Sequence, residues 1–530
     1  MHENRETSEA SAAKPGSRSV GEGKRRTART YVSEESHNGV VPMNHSNKDK
    51  ISLAESGEGR PLIKENAGQP NTYPTQSGKG VSQGLAGVRK AAGENKEMKF
   101  TSLLHHLTID LLREGFYSLK RKAAPGVDGV TWYEYETGIE GRLVDLHSRV
   151  QRGAYRATPS RRVYIEKADG RKRPLGVAAL EDKIVQHAVV TILVVTILVV
   201  TILNQVYEED FLGFSYGFRP GHSQHNALDA LSYALLKRKV NYVLDADIKG
   251  FFDNLDKSWL IKFVEHRVAD PRILRLIQKW LKAGVMEEGK WSEPQTGSPQ
   301  GSVISPLLAN IYLHYCFDLW VNVWRKKWAQ GEVVVVRYAD DTVLGFQYQA
   351  DADRFLENLR ERLAMFGLEL HPEKTRRIEF GRYAEKNRKR REEGKPETFD
   401  FLGFTHISGK NSLGRFALRR TTIRKRMVAK IRQLKPELRK RMHDPVAQTG
   451  LWLKSVVQGH FNYYAVPGNT ASLSLFRHRV LVQWWHTIRR RSQKRPIRWT
   501  RMLVLARRWL PKPRVLHPYP EVRFAATHPR

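Results

Sequence analysis

Apolar residues recur at helical spacing where the organised part of the chain begins. Leu103, Leu104, Leu107, Leu111 and Leu112 predict a helix there, because side chains three or four residues apart share one helix face. From this point to about residue 407, short β-branched runs alternate with longer helical patterns, which is typical of a mixed α/β fold. Beyond residue 408 helical patterning dominates, and we expect an all-α domain at 411–505 followed by a short tail at 506–530.

Residues 1–97 show no sustained apolar periodicity and are rich in Gly, Ser, Glu, Asn and Lys. Such a segment buries too little apolar surface to offset the conformational entropy that is lost on ordering. We therefore expect a disordered N-terminal arm at 1–97.

An uncharged run from Ala188 to Leu203 consists largely of three copies of Val-Val-Thr-Ile-Leu, which begin at Val189, Val194 and Val199. The run is shorter than the ~18–20 apolar residues needed to cross a bilayer. We interpret it as an expanded buried segment, and we expect no membrane partner.

The charge of the chain is strongly positive, with 90 Lys and Arg against 55 Asp and Glu and a formal net charge of +35. Residues 411–530 alone hold 28 basic residues and three acids, interleaved with aromatic side chains. Phosphates are attracted to such a surface and bases stack on such rings, so this region predicts nucleic-acid binding. The single cysteine, Cys316, excludes a disulfide scaffold and a four-cysteine zinc site, and it suits a reducing, cytoplasmic location.

Two β-branched runs flank a polar tip between Val333 and Phe346. This pattern predicts a β-hairpin with Asp340 and Asp341 at its turn. Adjacent carboxylates repel each other unless a cation neutralises them, and oxygen ligands of this kind suit Mg²⁺. A solvated Asp-Asp turn is the alternative for this tetrapeptide taken alone.

A second strand is predicted at Tyr242–Ile248, where alternation places Val243, Asp245 and Asp247 on one face. The Lys-Gly pair directly after it breaks the strand. Two strands that each deliver an acid to a shared edge would let two Mg²⁺ ions hold the attacking and leaving oxygens of a phosphoryl transfer. The acids of both strands together favour a two-metal site over a strand end that is merely solvated.

With these two segments the chain resembles the group II intron-encoded reverse transcriptases and maturases, in order from about residue 100 to the C-terminus. Tyr-Ala-Asp-Asp at 338–341 is similar to that family's signature hairpin, and 246–254 is similar to its first catalytic motif. The resemblance implies an α/β right-hand polymerase fold, with fingers and palm at 98–407. It also implies that the segment 411–505 is a basic helical maturase or thumb domain.

The resemblance assigns roles to the acids and to one aromatic residue. Asp247, Asp340 and Asp341 would be catalytic and would bind two Mg²⁺ ions, with Asp245 in support. Phe252, five residues after the first acid, would crowd the sugar 2′ position so that deoxynucleotides are preferred.

Three further segments resemble substrate-binding motifs of the same family. In the fingers, Lys167 and Arg173 would bind the triphosphate. In a Pro-Gln-Gly loop, Gln300 and Gly301 would lie against the incoming nucleotide and the template. In the His-Pro-Glu-Lys segment, Lys374 would protonate the leaving pyrophosphate.

The function implied is that of an RNA-directed DNA polymerase and intron maturase, which binds a group II intron RNA, assists its splicing and copies RNA into DNA during intron mobility. Its partners would be that intron RNA, a template RNA with a DNA primer, and dNTPs, and it would join the nucleoid when bound to a DNA target. One alternative is an RNA-binding maturase whose polymerase is inactivated by the triplicated pentapeptide, since the family expects one copy. Another is a reverse transcriptase of a different bacterial retroelement, which the long basic thumb opposes.

No endonuclease domain is expected. The metal-dependent nuclease often appended to this family needs its own cluster of histidines, commonly braced by paired cysteines. Only 22 residues come after Arg508, and they contain two histidines and no cysteine.

Overall fold

The computed structural model of the chain describes residues 87–88, 90–166, 172–190, 206–287, 290–292, 302–491 and 497–527. Most of the arm expected at 1–97 and the repeat beyond Val190 lie outside these ranges. Within them, no helix is both long enough and apolar enough to span a membrane.

Helices and strands alternate through the described residues between about 100 and 400, as the apolar spacing predicts. The elements before residue 300 are α1 (Ile109–Ser118), α2 (Trp132–Glu136), α3 (Ile139–Gln151), β1 (Ser160–Glu166), β2 (Lys172–Val177), α4 (Leu180–Val190), α5 (Gln224–Lys237), β3 (Tyr242–Ala246), α6 (Phe251–Asn254), α7 (Lys257–Glu265), α8 (Pro271–Lys282), β4 (Val285–Glu287) and β5 (Lys290–Ser292). The palm continues with α9 (Ser305–Leu313), a π-helical turn (His314–Asp318), α10 (Leu319–Lys327), β6 (Val333–Tyr338), β7 (Asp341–Phe346), α11 (Gln349–Ala364), β8 (Arg376–Glu379) and α12 (Ala384–Arg390).

The elements of the C-terminal region are β9 (Thr398–Phe401), β10 (Phe404–Lys410), β11 (Phe416–Thr422), α13 (Arg424–Lys440), α14 (Val446–Tyr464), α15 (Thr470–Arg489), α16 (Trp499–Trp509) and α17 (Pro520–Thr527). The domain expected to be all-α at 411–505 therefore contains one strand, β11. It forms because β10 offers a free edge for antiparallel pairing, from Phe404 with Thr422 to Lys410 with Phe416. That pairing, across the short loop between Lys410 and Phe416, overrides the helical patterning of the surrounding sequence.

The leucines at the start of the organised region are all buried, but the helix predicted there is divided. A 3₁₀ turn at Leu104–His106 precedes α1. Thr108 separates the two, because its hydroxyl accepts a hydrogen bond from Leu111 N at 3.2 Å and so caps the new helix.

Four antiparallel strands in the order β6-β7-β3-β8 form the palm sheet. The alternation predicted for β3 is confirmed by its two faces. Leu244 and Ala246 belong to a core shared with the fingers and palm helices. Val243 belongs to a second core, which it shares with residues of the C-terminal helices such as Phe461 and Trp484. The sheet is therefore packed on both sides, and the C-terminal helices cover one of them.

The ordered structure begins before residue 98, where the N-terminal arm was expected to end. Residues 90–94 are helical and Ala92 is fully buried. The buried guanidinium of Arg267 donates to the carbonyls of Ala92 and Asn95, at 3.1 and 3.2 Å. This stretch packs because its backbone carbonyls accept hydrogen bonds from the buried charge of Arg267. Apolar periodicity does not reveal such a contact.

The segment expected to be a basic tail instead packs against the palm helix α5. Phe524 stacks on Tyr233 with ring centroids 4.4 Å apart. Arg523 pairs with Asp229 at 2.9 Å, and Glu521 pairs with Lys237 at 3.3 Å. We call residues 516–524 the C-terminal clasp.

Candidate active site

The hairpin predicted between Val333 and Phe346 is present. Strands β6 and β7 are antiparallel, and Tyr338 is the last residue paired, with Asp341. Two residues, Ala339 and Asp340, therefore make the turn. Ala339 has a φ of 55°, a left-handed conformation that costs roughly 1–3 kcal/mol for a residue other than glycine.

The strand pairing brings the first acid to the same edge of the sheet. The last pair between β3 and β7 is Ala246 with Thr342, so the next positions in this register are Asp247 and Asp341. Asp340 precedes Asp341 in the turn. The three acids predicted as metal ligands thus converge where β3 ends and the β6–β7 hairpin turns.

The donor set at this edge suits a hard divalent cation, because it consists of carboxylates on well-packed strands. In the part of the chain that the structure describes, no three Asp, Glu, His or Cys side chains lie close enough together to bind one metal ion as they stand. Instead, the ammonium of Lys374 lies 2.6 Å from Oδ2 of Asp247. The ammonium of Lys374 therefore neutralises the carboxylate of Asp247, which would otherwise be available to a metal ion.

The segment that carries Lys374 runs beside the end of β3. His371 N donates to Asp247 O at 2.7 Å, and Lys249 N donates to Glu369 O at 2.8 Å. Thr375 Oγ1 accepts from Asp247 N at 3.4 Å. These backbone contacts explain how a lysine far along the chain from Asp247 comes to face it.

Asp245 lies on the same face of β3 as Asp247 and is opposite Arg376 of β8. Burial raises the pKa of Asp245 to about 7; Arg376 opposes this shift and the neighbouring Asp247 adds to it. The carboxyl of Asp245 therefore keeps its proton to a higher pH than an exposed aspartate does.

The two phenylalanines after the strand differ in exposure. Phe251 is buried in the core, whereas Phe252 is only partly buried and packs at the edge of that core. Both are in α6, which begins after Gly250 with a φ of 54°. Of the two rings, that of Phe252 is therefore the one that remains partly accessible.

The other predicted substrate-binding residues cannot be placed in the same detail. Lys167, Gln300 and Gly301 lie outside the described residues. Arg173 belongs to β2, opposite Ile165 in the fingers hairpin, and its side chain lies outside the described part of the structure.

Sequence analysis missed a group of buried residues beneath the hairpin turn. Four of them are polar, Arg337, Asp318, Asn310 and Ser215, and the fifth is Gly217. One sign was available in the sequence, since Arg337 interrupts a strand that is otherwise apolar and faces the core.

A sheet edge at which acids from two strands converge is the arrangement expected of a polymerase of the reverse transcriptase class. The chain matches the family described as "Reverse transcriptase (RNA-dependent DNA polymerase)" over residues 165–406. It also resembles "Protein YkfC" of Escherichia coli K12, with 34% identity over 268 residues, which cover 45% of this chain and 68% of that protein.

Two further relatives are intron proteins. "Group II intron-encoded protein LtrA" of Lactococcus lactis is 34% identical over 235 residues, which cover 43% of this chain and 37% of that protein. The "Uncharacterized 91 kDa protein in cob intron" of Schizosaccharomyces pombe is 34% identical over 180 residues, 33% of this chain and 21% of that protein. The chain belongs to the group II intron-encoded reverse transcriptase/maturase family.

Proposed function

We propose that the edge of the palm sheet formed by Asp247, Asp340 and Asp341 is the site at which this chain copies RNA into DNA. The observation that carries the proposal is the register of β3 against β7, which makes Asp247 and Asp341 neighbours one step beyond the last pair. The family assignment gives this edge its chemistry, the transfer of a nucleotide to a primer end.

Asp247, Asp340 and Asp341 would hold two Mg²⁺ ions. When bound, the ions would neutralise the phosphates and stabilise charge on the attacking and leaving oxygens. The contribution of the chain is to present the carboxylates from two strands whose positions are fixed by the sheet.

Lys374 is proposed to supply the proton for the leaving pyrophosphate. Its ammonium is already at the site, 2.6 Å from Asp247, and both side chains are partly exposed. In the loaded enzyme the lysine would release Asp247 and turn toward the pyrophosphate. In the free protein, the ion pair would hold the side chains of Lys374 and Asp247 at the site before a substrate binds.

The remaining substrate contacts are proposals that rest on the resemblance. Phe252 would exclude the 2′-hydroxyl of a ribonucleotide. Lys167 and Arg173 would bind the triphosphate, since a point charge and a planar fork are complementary ways to hold phosphate oxygens. Gln300 and Gly301 would contact the incoming nucleotide and the template.

The thumb is proposed to bind group II intron RNA and the template–primer duplex. Its helix α13 exposes Lys425, Arg432, Lys435 and Arg439 at spacings of three, four or seven residues, so these side chains form one basic stripe. None of the four has an ion-pair partner among the described residues. A stripe of this kind can neutralise successive phosphates along one strand.

A maturase with an inactive polymerase remains the second candidate, and the triplicated pentapeptide favours it. Val189, which begins the first copy, and Val206, which follows the last copy, are both fully buried. The extra copies between these two core positions must therefore be packed within the core or be exposed to solvent.

The test compares three isosteric variants, Asp247→Asn, Asp340→Asn and Asp341→Asn, with the control Asp145→Asn. Asp145 lies on α3, is exposed and pairs with Arg149 at 2.7 Å. We expect each active-site variant to abolish primer extension on an RNA template while filter binding of intron RNA stays close to that of the parent. The control should retain both activities. Near-normal extension by the Asp340 variant would refute the site, and an inactive parent that binds RNA would favour the second candidate.

A further inference from the structure

A fully buried arginine lies directly before the hairpin turn. Arg337 is 0% exposed, and each of its five N–H groups has an acceptor, which is the largest number that a guanidinium can use. The bonds are Nε to Asp318 Oδ1 at 2.7 Å, Nη1 to Asn310 Oδ1 at 3.2 Å and to Ala339 O at 2.9 Å, and Nη2 to Asp318 Oδ2 at 2.5 Å and to Ser215 Oγ at 2.6 Å.

One of these five bonds reaches the turn itself. The acceptor is the carbonyl of Ala339, the residue held at positive φ between Tyr338 and Asp340. A two-residue turn places its carbonyls according to its backbone angles, so fixing this oxygen fixes the direction in which the chain enters Asp340 and Asp341.

The opposite side of the turn is closed by the backbone around Gly217. A Cβ built on Gly217 would lie 2.2 Å from Ala339 N, so that only glycine fits there. The carbonyl of Gly217 accepts from Asn310 Nδ2 at 2.6 Å, and Asn310 also bonds to Arg337 through its Oδ1. The same amide thus holds both the arginine and the glycine that contact the turn.

The segment before Gly217 is tied to Arg337 through the backbone as well. Tyr216 N donates to Arg337 O at 2.8 Å, and Arg337 N donates to Phe214 O at 2.9 Å. The turn is therefore enclosed by two chain segments that both depend on Arg337. We call Arg337, Asp318, Asn310, Ser215 and Gly217 the turn cradle.

We infer that Arg337 is a positioning residue for the reaction: through the turn cradle it holds the Ala339 turn in the one conformation that presents Asp340 and Asp341 beside Asp247. The inference rests on the proposed function of these acids. The inference extends that proposal to residues outside the site, because no residue of the turn cradle is a candidate metal ligand and the buried Arg337 cannot contact a substrate.

A purely structural role would also account for a buried Arg–Asp pair, since the contact with Asp318 joins β6 to the end of the π-helical turn. The two roles differ in what they predict for metal use. If Arg337 only joins elements, its replacement lowers stability and leaves the metal requirement of the folded protein unchanged. If it positions the acids, the metal requirement itself changes.

Two variants perturb the cradle in different ways. Arg337→Lys keeps the positive charge opposite Asp318 but has too few donors, and the wrong geometry, for the remaining acceptors. Gly217→Ala keeps every polar group and adds a methyl group against Ala339 N. The matched control is Arg267→Lys, because Arg267 is also buried and paired, with Asp210 at 3.2 Å, and donates to backbone carbonyls far from the hairpin.

The measurements are the Mg²⁺ concentration for half-maximal primer extension, the single-turnover rate, the melting temperature and the affinity for intron RNA. Changing an outer partner of a metal ligand typically costs 10–100-fold in metal affinity or activity. We therefore expect Arg337→Lys and Gly217→Ala to raise the half-maximal Mg²⁺ concentration about tenfold or more, with RNA affinity unchanged. Arg267→Lys should lower the melting temperature without a change in the Mg²⁺ requirement.

The result that overturns the inference is an unchanged Mg²⁺ requirement in Gly217→Ala, or in a folded Arg337→Lys protein that has lost stability as the control does. If Arg337→Lys fails to fold, Gly217→Ala decides the question. Failure of the proposed function is distinguishable, because it would appear as activity in the Asp340→Asn variant, whereas failure of this inference leaves that variant inactive.

Discussion

Asp247 and Asp341 are adjacent across two antiparallel strands, one position beyond the pair formed by Ala246 and Thr342. Neither residue is near the other in sequence, and the shared edge arises because β3 inserts between β7 and β8. A shift of one residue in this register would turn one of the two carboxylates to the opposite face of the sheet. The strand pairing that forms the palm sheet therefore also determines where the acids lie.

Replacing Phe252 by alanine should increase the use of ribonucleotides. The accessible ring is proposed to occupy the space that a 2′-hydroxyl would need, and a pocket of this kind discriminates by at most about 100-fold. The measurement is kcat/KM for a dNTP against that for the matching rNTP. Phe252→Tyr is the control, because it keeps the ring; equal ratios in parent and alanine variant would assign the discrimination to another residue.

The affinity for intron RNA should fall with salt, and the basic stripe of α13 should account for part of the slope. Each phosphate contact contributes roughly 0.7–0.9 to the slope of log K against log salt. Changing Lys425, Arg432, Lys435 and Arg439 to glutamine should therefore reduce the slope by about 3. Lys326→Gln with Lys327→Gln, on the exposed end of α10, serves as the control. A slope that survives the four changes would contradict binding through this stripe.

The stability of the protein should contain a component that depends on Asp182. Burial raises the pKa of Asp182 to about 6, partly offset by hydrogen bonds from Tyr155 and from Thr158 N. A folded-state pKa above the unfolded value means that the native state holds the proton more tightly. This component of stability is therefore lost as the pH rises from about 4 to about 6, by at most about 1.4 kcal/mol per pH unit.

The measurement for Asp182 is the melting temperature against pH in the parent and in Asp182→Asn, which keeps an acceptor for Thr158 N. The difference between the two proteins should change across this interval and level off above it. Parallel curves would show that Asp182 titrates alike in the folded and unfolded chain.

Deletion of Val194–Leu203, which leaves one copy of the pentapeptide, should improve soluble yield, melting temperature and primer extension. If the repeat is helical, ten added residues lengthen the helix by about 15 Å and rotate the downstream chain by about 280°. If it is extended, its β-branched side chains favour strand pairing and aggregation. Equal values for both proteins would show that the fold tolerates the repeat, and the inactive-polymerase alternative would lose its main support.

Local patterns predicted the parts of the site that are local in sequence. The hairpin and the β3 strand follow from alternation over a few residues, and their acids could be identified before the strands were paired. The turn cradle could not be found in this way, because Ser215, Asn310 and Asp318 reach Arg337 from elements separated by 19 to 122 residues. The C-terminal clasp escaped for the same reason, since its partners on α5 lie far along the chain, whereas β11 pairs with the neighbouring strand β10.

The carboxylate of Asp229 in α5 forms ion pairs with two arginines, Arg420 of β11 at 3.4 Å and Arg523 of the C-terminal clasp at 2.9 Å. The palm helix, the β10–β11 hairpin and the C-terminal clasp are thus joined through one carboxylate. Because the ion pair of Arg420 with Asp229 joins the β10–β11 hairpin to α5, a movement of the C-terminal helices relative to the palm sheet would have to bend the chain after Thr422, where α13 begins.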